Sequence, residues 1–168
     1  MKKSIIFFIA IALLLSFSLV SFSQVKKPYT IEIRSSKKID RYTYQFEIWI
    51  KSNTAVNITS YQCSFKYNNS IVNSGELKFN YVNNSCQLNN KPITYKLFTL
   101  NDLIAFASGP GNDIVKGEKR IGTFTIKNTN EFKKGERINL QWNFDGAEKT
   151  IILGNDFEEI TNSFNFLK

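Results

Sequence analysis

The chain has 168 residues, of which 22 are basic and 14 acidic, for a formal charge of +8; 42% are hydrophobic and 14% aromatic. That aromatic content excludes a disordered chain, and this much apolar sequence suffices for the core of one domain. With no His at all, His-dependent triads, His-ligated zinc and imidazole acid–base chemistry are excluded.

Met1-Lys2-Lys3, an apolar run from Ile5 to Val20 and small residues at Ser21 and Ser23 make the three-part pattern of a secretory signal. The sequence predicts a hydrophobic signal helix over 1–23, cleaved before Gln24, and one domain over 24–168. A retained membrane anchor is the competing reading. It is disfavoured because the run ends at a small-x-small site and only Lys26 and Lys27 follow. Loss of Lys2 and Lys3 with the leader lowers the formal charge from +8 to +6. The predicted location is extracellular, at the cell surface or periplasmic, with no nucleic-acid partner and no membrane association after cleavage. Basic pairs at Lys26-Lys27, Lys37-Lys38 and Lys133-Lys134 sit near predicted strand ends, where Lys solvates a surface and protects sheet edges. An attraction to acidic glycans stays open and would be screened by salt.

From Tyr42 onward the pattern alternates with period two, the signature of strands with one wet and one buried face. Tyr42, Tyr44, Phe46, Ile48 and Ile50 fall opposite Thr43, Gln45, Glu47 and Trp49. Tyr61, Cys63, Phe65 and Tyr67 share a face, as do Leu77, Phe79 and Tyr81, and later Ile138, Leu140, Trp142 and Phe144. Leu103–Ala107 is continuously apolar and reads as a central strand. Residues 121–127 and 149–153 read as further strands, and Ile160–Phe166 as a closing one. One helical turn is expected over Asn155–Glu159, with Asn155 as its cap. Asn68-Asn69-Ser70, Asn73-Ser74-Gly75, Ser108–Gly111 and Asp145-Gly146 mark turns. Eight or nine short strands in one domain predict a β-sandwich, with a barrel as the lesser alternative.

The segments Tyr44–Lys51, Ile58–Asn68, Ile121–Thr129, Leu140–Phe144 and Ile152–Phe157 together resemble the cohesin-like β-sandwich domains of secreted bacterial proteins, relatives of certain carbohydrate-binding modules. The resemblance implies an all-β, two-sheet antiparallel sandwich of jelly-roll type. It also implies an extracellular module that binds without transforming. No residue of a defined binding motif carries over.

Trp49 is the sharpest ligand candidate, since alternation places it on the face opposite Phe46 and Ile48, where an exposed indole can stack on a sugar or anchor a protein. The favoured alternative is that it packs under a loop or a neighbouring edge strand. Tyr95, in a segment apolar on both sides, is a weaker second. Cys63 and Cys86 are the only thiols, and in a secreted chain a disulfide between them is preferred over two free thiols. Trp142 reads as core. Asp102, Asp113, Asp156, Glu158 and Glu159 form no calcium-loop pattern, so no metal or cofactor is predicted, with structural calcium as the lesser alternative. The nucleophile elbow, P-loop and dinucleotide fingerprint are all missing, and nothing selects a carboxylate pair. The predicted function is therefore non-catalytic binding, of a protein in extracellular adhesion or assembly. The alternatives are a carbohydrate-binding module using Trp49 and Tyr95, and a structural subunit joined through sheet edges.

Overall fold

The computed structural model describes residues 27–93, 98–100 and 102–168. The expected signal segment 1–23 and Tyr95 lie outside them. Ten strands occur among the described residues: β1 (Tyr29–Lys38), β2 (Thr43–Ile58), β3 (Ser60–Lys66), β4 (Leu77–Tyr81), β5 (Phe98–Leu100), β6 (Leu103–Ala107), β7 (Asp113–Asn128), β8 (Gln141–Trp142), β9 (Ile151–Leu153) and β10 (Phe164–Leu167). They form two sheets, ordered β10-β1-β2-β7-β4 and β5-β6-β3-β8, with β9 also pairing β3. The two-sheet expectation holds, with one change. All pairings are antiparallel except that of β10 with β1, which is parallel.

The alternation in β2 buries Tyr44, Phe46, Ile48 and Ile50 and turns Gln45, Glu47 and Trp49 outward. On the opposing sheet, β3 buries Tyr61, Cys63 and Phe65, and β6 buries Ile104 and Phe106. Five phenylalanines knit the layers together. Phe106 of β6 stacks on Phe124 of β7 with centroids 4.2 Å apart, Phe46 meets Phe65 edge-on at 5.8 Å, and Phe79 lies 5.4 Å from Phe124. Offset and edge-on ring pairs of this kind add to the stabilisation from burial alone. Gly122 belongs to the same arrangement. A Cβ there would come within 3.0 Å of both the Phe124 and Tyr81 rings, so its lack of a side chain makes room for them.

β2 crosses from one sheet to β3 in the other with only Thr59 between them. A buried polar clasp pins this crossing. The Asn90 side-chain amide donates to the carbonyls of Ile58 (3.2 Å) and Thr59 (3.1 Å). The Asp113 carboxylate, buried in turn, accepts from the backbone N–H groups of Asn89 (2.8 Å) and Asn90 (2.7 Å). Gly111 is tight against this clasp, since a Cβ there would overlap the Asn90 side chain.

Several sequence expectations are revised. The strand expected over Ile138–Phe144 shortens to Gln141–Trp142, because Asn139 adopts a left-handed φ of 48° that interrupts extension. Phe144 is consequently 46% exposed, and Trp142 is half-buried against Phe65 rather than core. Tyr42 precedes β2 and is exposed. The closing strand starts only at Phe164, after a 3-10 turn at Thr161–Ser163. Asn155 does not cap its turn. It lies inside a 3-10 turn, Asn155–Phe157, in which Asp156 and the 59% exposed Phe157 both have positive φ.

Two substitutions test this architecture. Phe106→Ala is expected to cost about 4 kcal/mol in urea unfolding, as large-to-small changes in a filled aromatic core do. Asp113→Ala is expected to cost about 3 kcal/mol by the same measurement, because two buried N–H donors lose a charged acceptor. A loss below about 1 kcal/mol for either would mean that the ring stack or the clasp does not hold the sheets as described.

Candidate functional site

The two outer sheet faces differ in chemistry, and the difference follows from cross-strand register. On the first, Trp49 of β2 pairs with Glu32 of β1 and Arg120 of β7. The Arg34 and Arg120 guanidiniums lie 4.9 and 5.6 Å from the ring centroid, one from each neighbouring strand. The indole N–H donates to Glu47 at 2.8 Å, and Arg120 reaches the other oxygen of the same carboxylate at 3.1 Å. Arg34 pairs with both Glu32 and Glu118, and its hydrogen bond holds the Glu118 carboxyl below the usual carboxylate range. Trp49 is therefore outward, as alternation implied, but half-buried in a mesh of two cations and three carboxylates. A sugar ring would have to displace guanidiniums that already hold cation–π positions.

The second face, on β3 and β6, is built from small uncharged groups. Outward positions on β3 are Ser60, Gln62, Ser64 and Lys66; their counterparts on β6 are Leu103, Ala105 and Ala107. Lys66 is the one charge among these seven, and it pairs with Asp145 at 3.3 Å. Ser64 is fully buried because Asn143 and Thr150 close over it. Thr150 Oγ1 accepts from Ser64 N–H and donates to Ser64 C=O, at 3.0 and 3.1 Å, and the Asn143 amide donates to Ser64 Oγ at 3.3 Å. A shallow hollow of about 230 Å³ opens beside it, lined by Ser60, Gln62, Ala107, Ile151 and Leu153 among others.

The β10 edge is blunted by side chains. Lys27 donates to the Phe164 carbonyl and Trp142 Nε1 to the Leu167 carbonyl, each at 3.0 Å. Two of the acids considered for calcium are likewise placed. Asp113 is committed to the clasp, and Asp156 sits on the exposed 155–157 turn. Sequence reasoning missed β1 and with it Arg34, although Tyr29, Ile31 and Ile33 alternate with Thr30, Glu32 and Arg34 and carried the signal. It also missed Arg120, which nothing short of the β2–β7 register places beside Trp49.

No protein-family model matches the chain, and no curated protein sequence matches it. Solved structures do. A type II cohesin–X–dockerin complex from Acetivibrio cellulolyticus aligns with a TM-score of 0.53 at 12% identity, over 82% of this chain and 94% of that one. The second type II cohesin module of a cellulosomal adaptor scaffoldin from the same organism gives 0.51 at 9% identity, over 86% and 94%. A non-cellulosomal cohesin from the archaeon Archaeoglobus fulgidus gives 0.49 at 14% identity, over 83% and 86%. The fold is cohesin-like, and at these identities the likeness speaks of fold alone.

The bridge expected between the cysteines is absent: Cys63 and Cys86 are both free thiols. Cys63 is wholly buried on β3, and that burial pushes its pKa far up. Cys86 is half-buried, raised by burial too, with its sulfur 3.3 Å from the Leu88 N–H and 3.5 Å from the Leu88 carbonyl. As only the thiolate reacts quickly, neither sulfur is a ready nucleophile near neutral pH. Titration of the unreduced native protein with a thiol-specific chromogenic reagent at pH 7.5 is expected to be slow, and addition of denaturant to release two thiols per chain. Release of none after unfolding would show a disulfide and overturn the free-thiol assignment.

Proposed function

We propose that this chain is a non-catalytic module, acting outside the cell, that binds a protein partner through the outer face of β3 and β6. The observation that supports the reading is the contrast between the two faces. On the Trp49 face, charges already satisfy one another, and covering them would cost desolvation that a partner would have to match group by group. The β3–β6 face asks for little. Ser60, Gln62 and Ala107 are uncharged and two of them short, so a partner's backbone can approach closely, as at interface cores that are depleted of charge. The cohesin-like fold fits a binding role, and a chain without His lacks the commonest acid–base catalyst. The leader pattern over residues 1–23 supports export.

Ala107→Arg tests the reading, because it sets a long cation into the hollow at the Gln62–Ala107 end of this face. The chain from residue 24 onward, immobilised, is expected to retain a stoichiometric protein partner from the producing culture's outer-surface fraction. Soluble sugars should leave this retention unchanged. It should weaken at least about 100-fold with Ala107→Arg, the scale of a hot-spot disruption, and stay unchanged with Lys78→Ala on the other sheet. Full retention by Ala107→Arg would place recognition elsewhere and sink the proposal.

A further inference from the structure

Where β10 stops, the edge of β1 is left open. β10 pairs only with Tyr29–Glu32, so β1 runs on to Lys38 without a neighbour on that side. Between this free stretch and the segment leading into β8 lies a hollow of about 380 Å³, within the size range of small-molecule sites. Tyr44 and Leu140, both largely buried, contribute its apolar floor; Lys37, Lys38, Arg137 and Lys168 contribute its rim. No carboxylate side chain lines it. The acids nearest in sequence are engaged elsewhere. Asp40 accepts the Tyr42 backbone N–H at 2.7 Å, and Glu136 accepts from the Asn68 amide at 3.1 Å.

Four cations gathered around one concavity without a carboxylate partner distinguish the hollow from the exposed lysines scattered elsewhere. Arg34, Arg41 and Arg120 each meet a carboxylate. Arg137 is the remaining arginine of the chain, and among the described residues neither it nor the three rim lysines makes an ion pair. Like charges held around one concavity repel each other and focus a positive potential into it. An anion entering the hollow relieves that repulsion.

We infer that this hollow is a binding site for an acidic sugar unit of a polysaccharide, one bearing a uronate or sulfate group. Lys and Arg heads meet the anionic group, and the Tyr44–Leu140 floor accepts the C–H side of a ring. Ser36 and the side-chain amide N–H of Asn139, whose oxygen accepts from Lys168, supply hydrogen bonds for hydroxyls. An acidic peptide fits less well. It would need the β1 edge as a template for strand addition, and that edge is broken by the register shift between Arg34 and Lys37 and by the positive φ of Ser35. The site is separate from the β3–β6 face, so loss of one leaves the other intact.

Calorimetric titration of the chain from residue 24 onward tests the inference. The probes are an oligogalacturonate, a sulfated oligosaccharide, the methyl-esterified neutral oligogalacturonate, and an oligoglutamate peptide of matched charge. Binding is expected for at least one acidic oligosaccharide and not for the neutral one, weakening roughly tenfold from 50 to 300 mM salt. The triple variant Lys37→Gln/Lys38→Gln/Arg137→Gln should lose at least tenfold in affinity. The charge-matched control Lys78→Gln/Lys116→Gln/Lys119→Gln, outside this hollow, should lose less than twofold. All six positions are exposed, so both variants should keep the wild-type melting temperature. Equal loss in both variants would reduce the effect to net charge. That outcome, no binding by either acidic oligosaccharide, or tighter binding of oligoglutamate would each overturn the inference.

Discussion

The contact on which the molecule most depends is the stacking of Phe106 from one sheet on Phe124 from the other, 4.2 Å apart, with Phe46, Phe65 and Phe79 around them. Two sheets can slide or twist over each other when only aliphatic side chains interleave. Rings of fixed shape, buried to within about 7% of full coverage, allow few relative positions. The sheet separation and alignment set by these rings decide which residues face outward and in what pattern. Gly122 shows how closely the arrangement is fitted, since the space a side chain would take there is used by two rings.

Beside this apolar contact stands a polar one with a different task. The Asp113–Asn90 clasp does not fill space; it specifies where β2 leaves one sheet and β3 enters the other. A buried carboxylate is costly unless its oxygens are paired, and here both accept backbone N–H groups that would otherwise be buried without partners. Asn90 passes the constraint on to the carbonyls at the crossing. Because β3 carries the small-residue face, the clasp at one end of the domain positions the surface proposed for recognition.

Three surfaces of distinct character result. The Trp49 face neutralises itself through pairs contributed by three strands, and the β3–β6 face carries little charge to neutralise. The hollow beside β1 keeps its charge. The domain thus presents a quiet face, an easily desolvated face and an electrostatically loaded recess, and each invites a different class of contact or none.

Much of the sandwich was legible before any coordinates. Leu77–Tyr81 and Leu103–Ala107 are strands at the positions their patterns implied, and Trp49 points outward as its neighbours required. Illegible were the shortened strand at Trp142, where one left-handed Asn overrides four well-spaced apolar residues, and the parallel pairing of β10 with β1. Also hidden was the fate of each charge. Arg34 and Arg137 look alike in the chain; one is held between two carboxylates and the other faces an open recess.

What the amino-acid order determined alone was local: extended strands with two unlike sides, a leader pattern, and a chemistry without imidazole. These follow from side-chain period and composition, which any short window contains. Which cations meet carboxylates, which face stays bare and where the thiols lie relative to each other were decided by the tertiary structure. They depend on pairings such as that of Trp49 with Arg120, 71 positions later in the chain, and long-range register of that kind has no signature in either segment by itself.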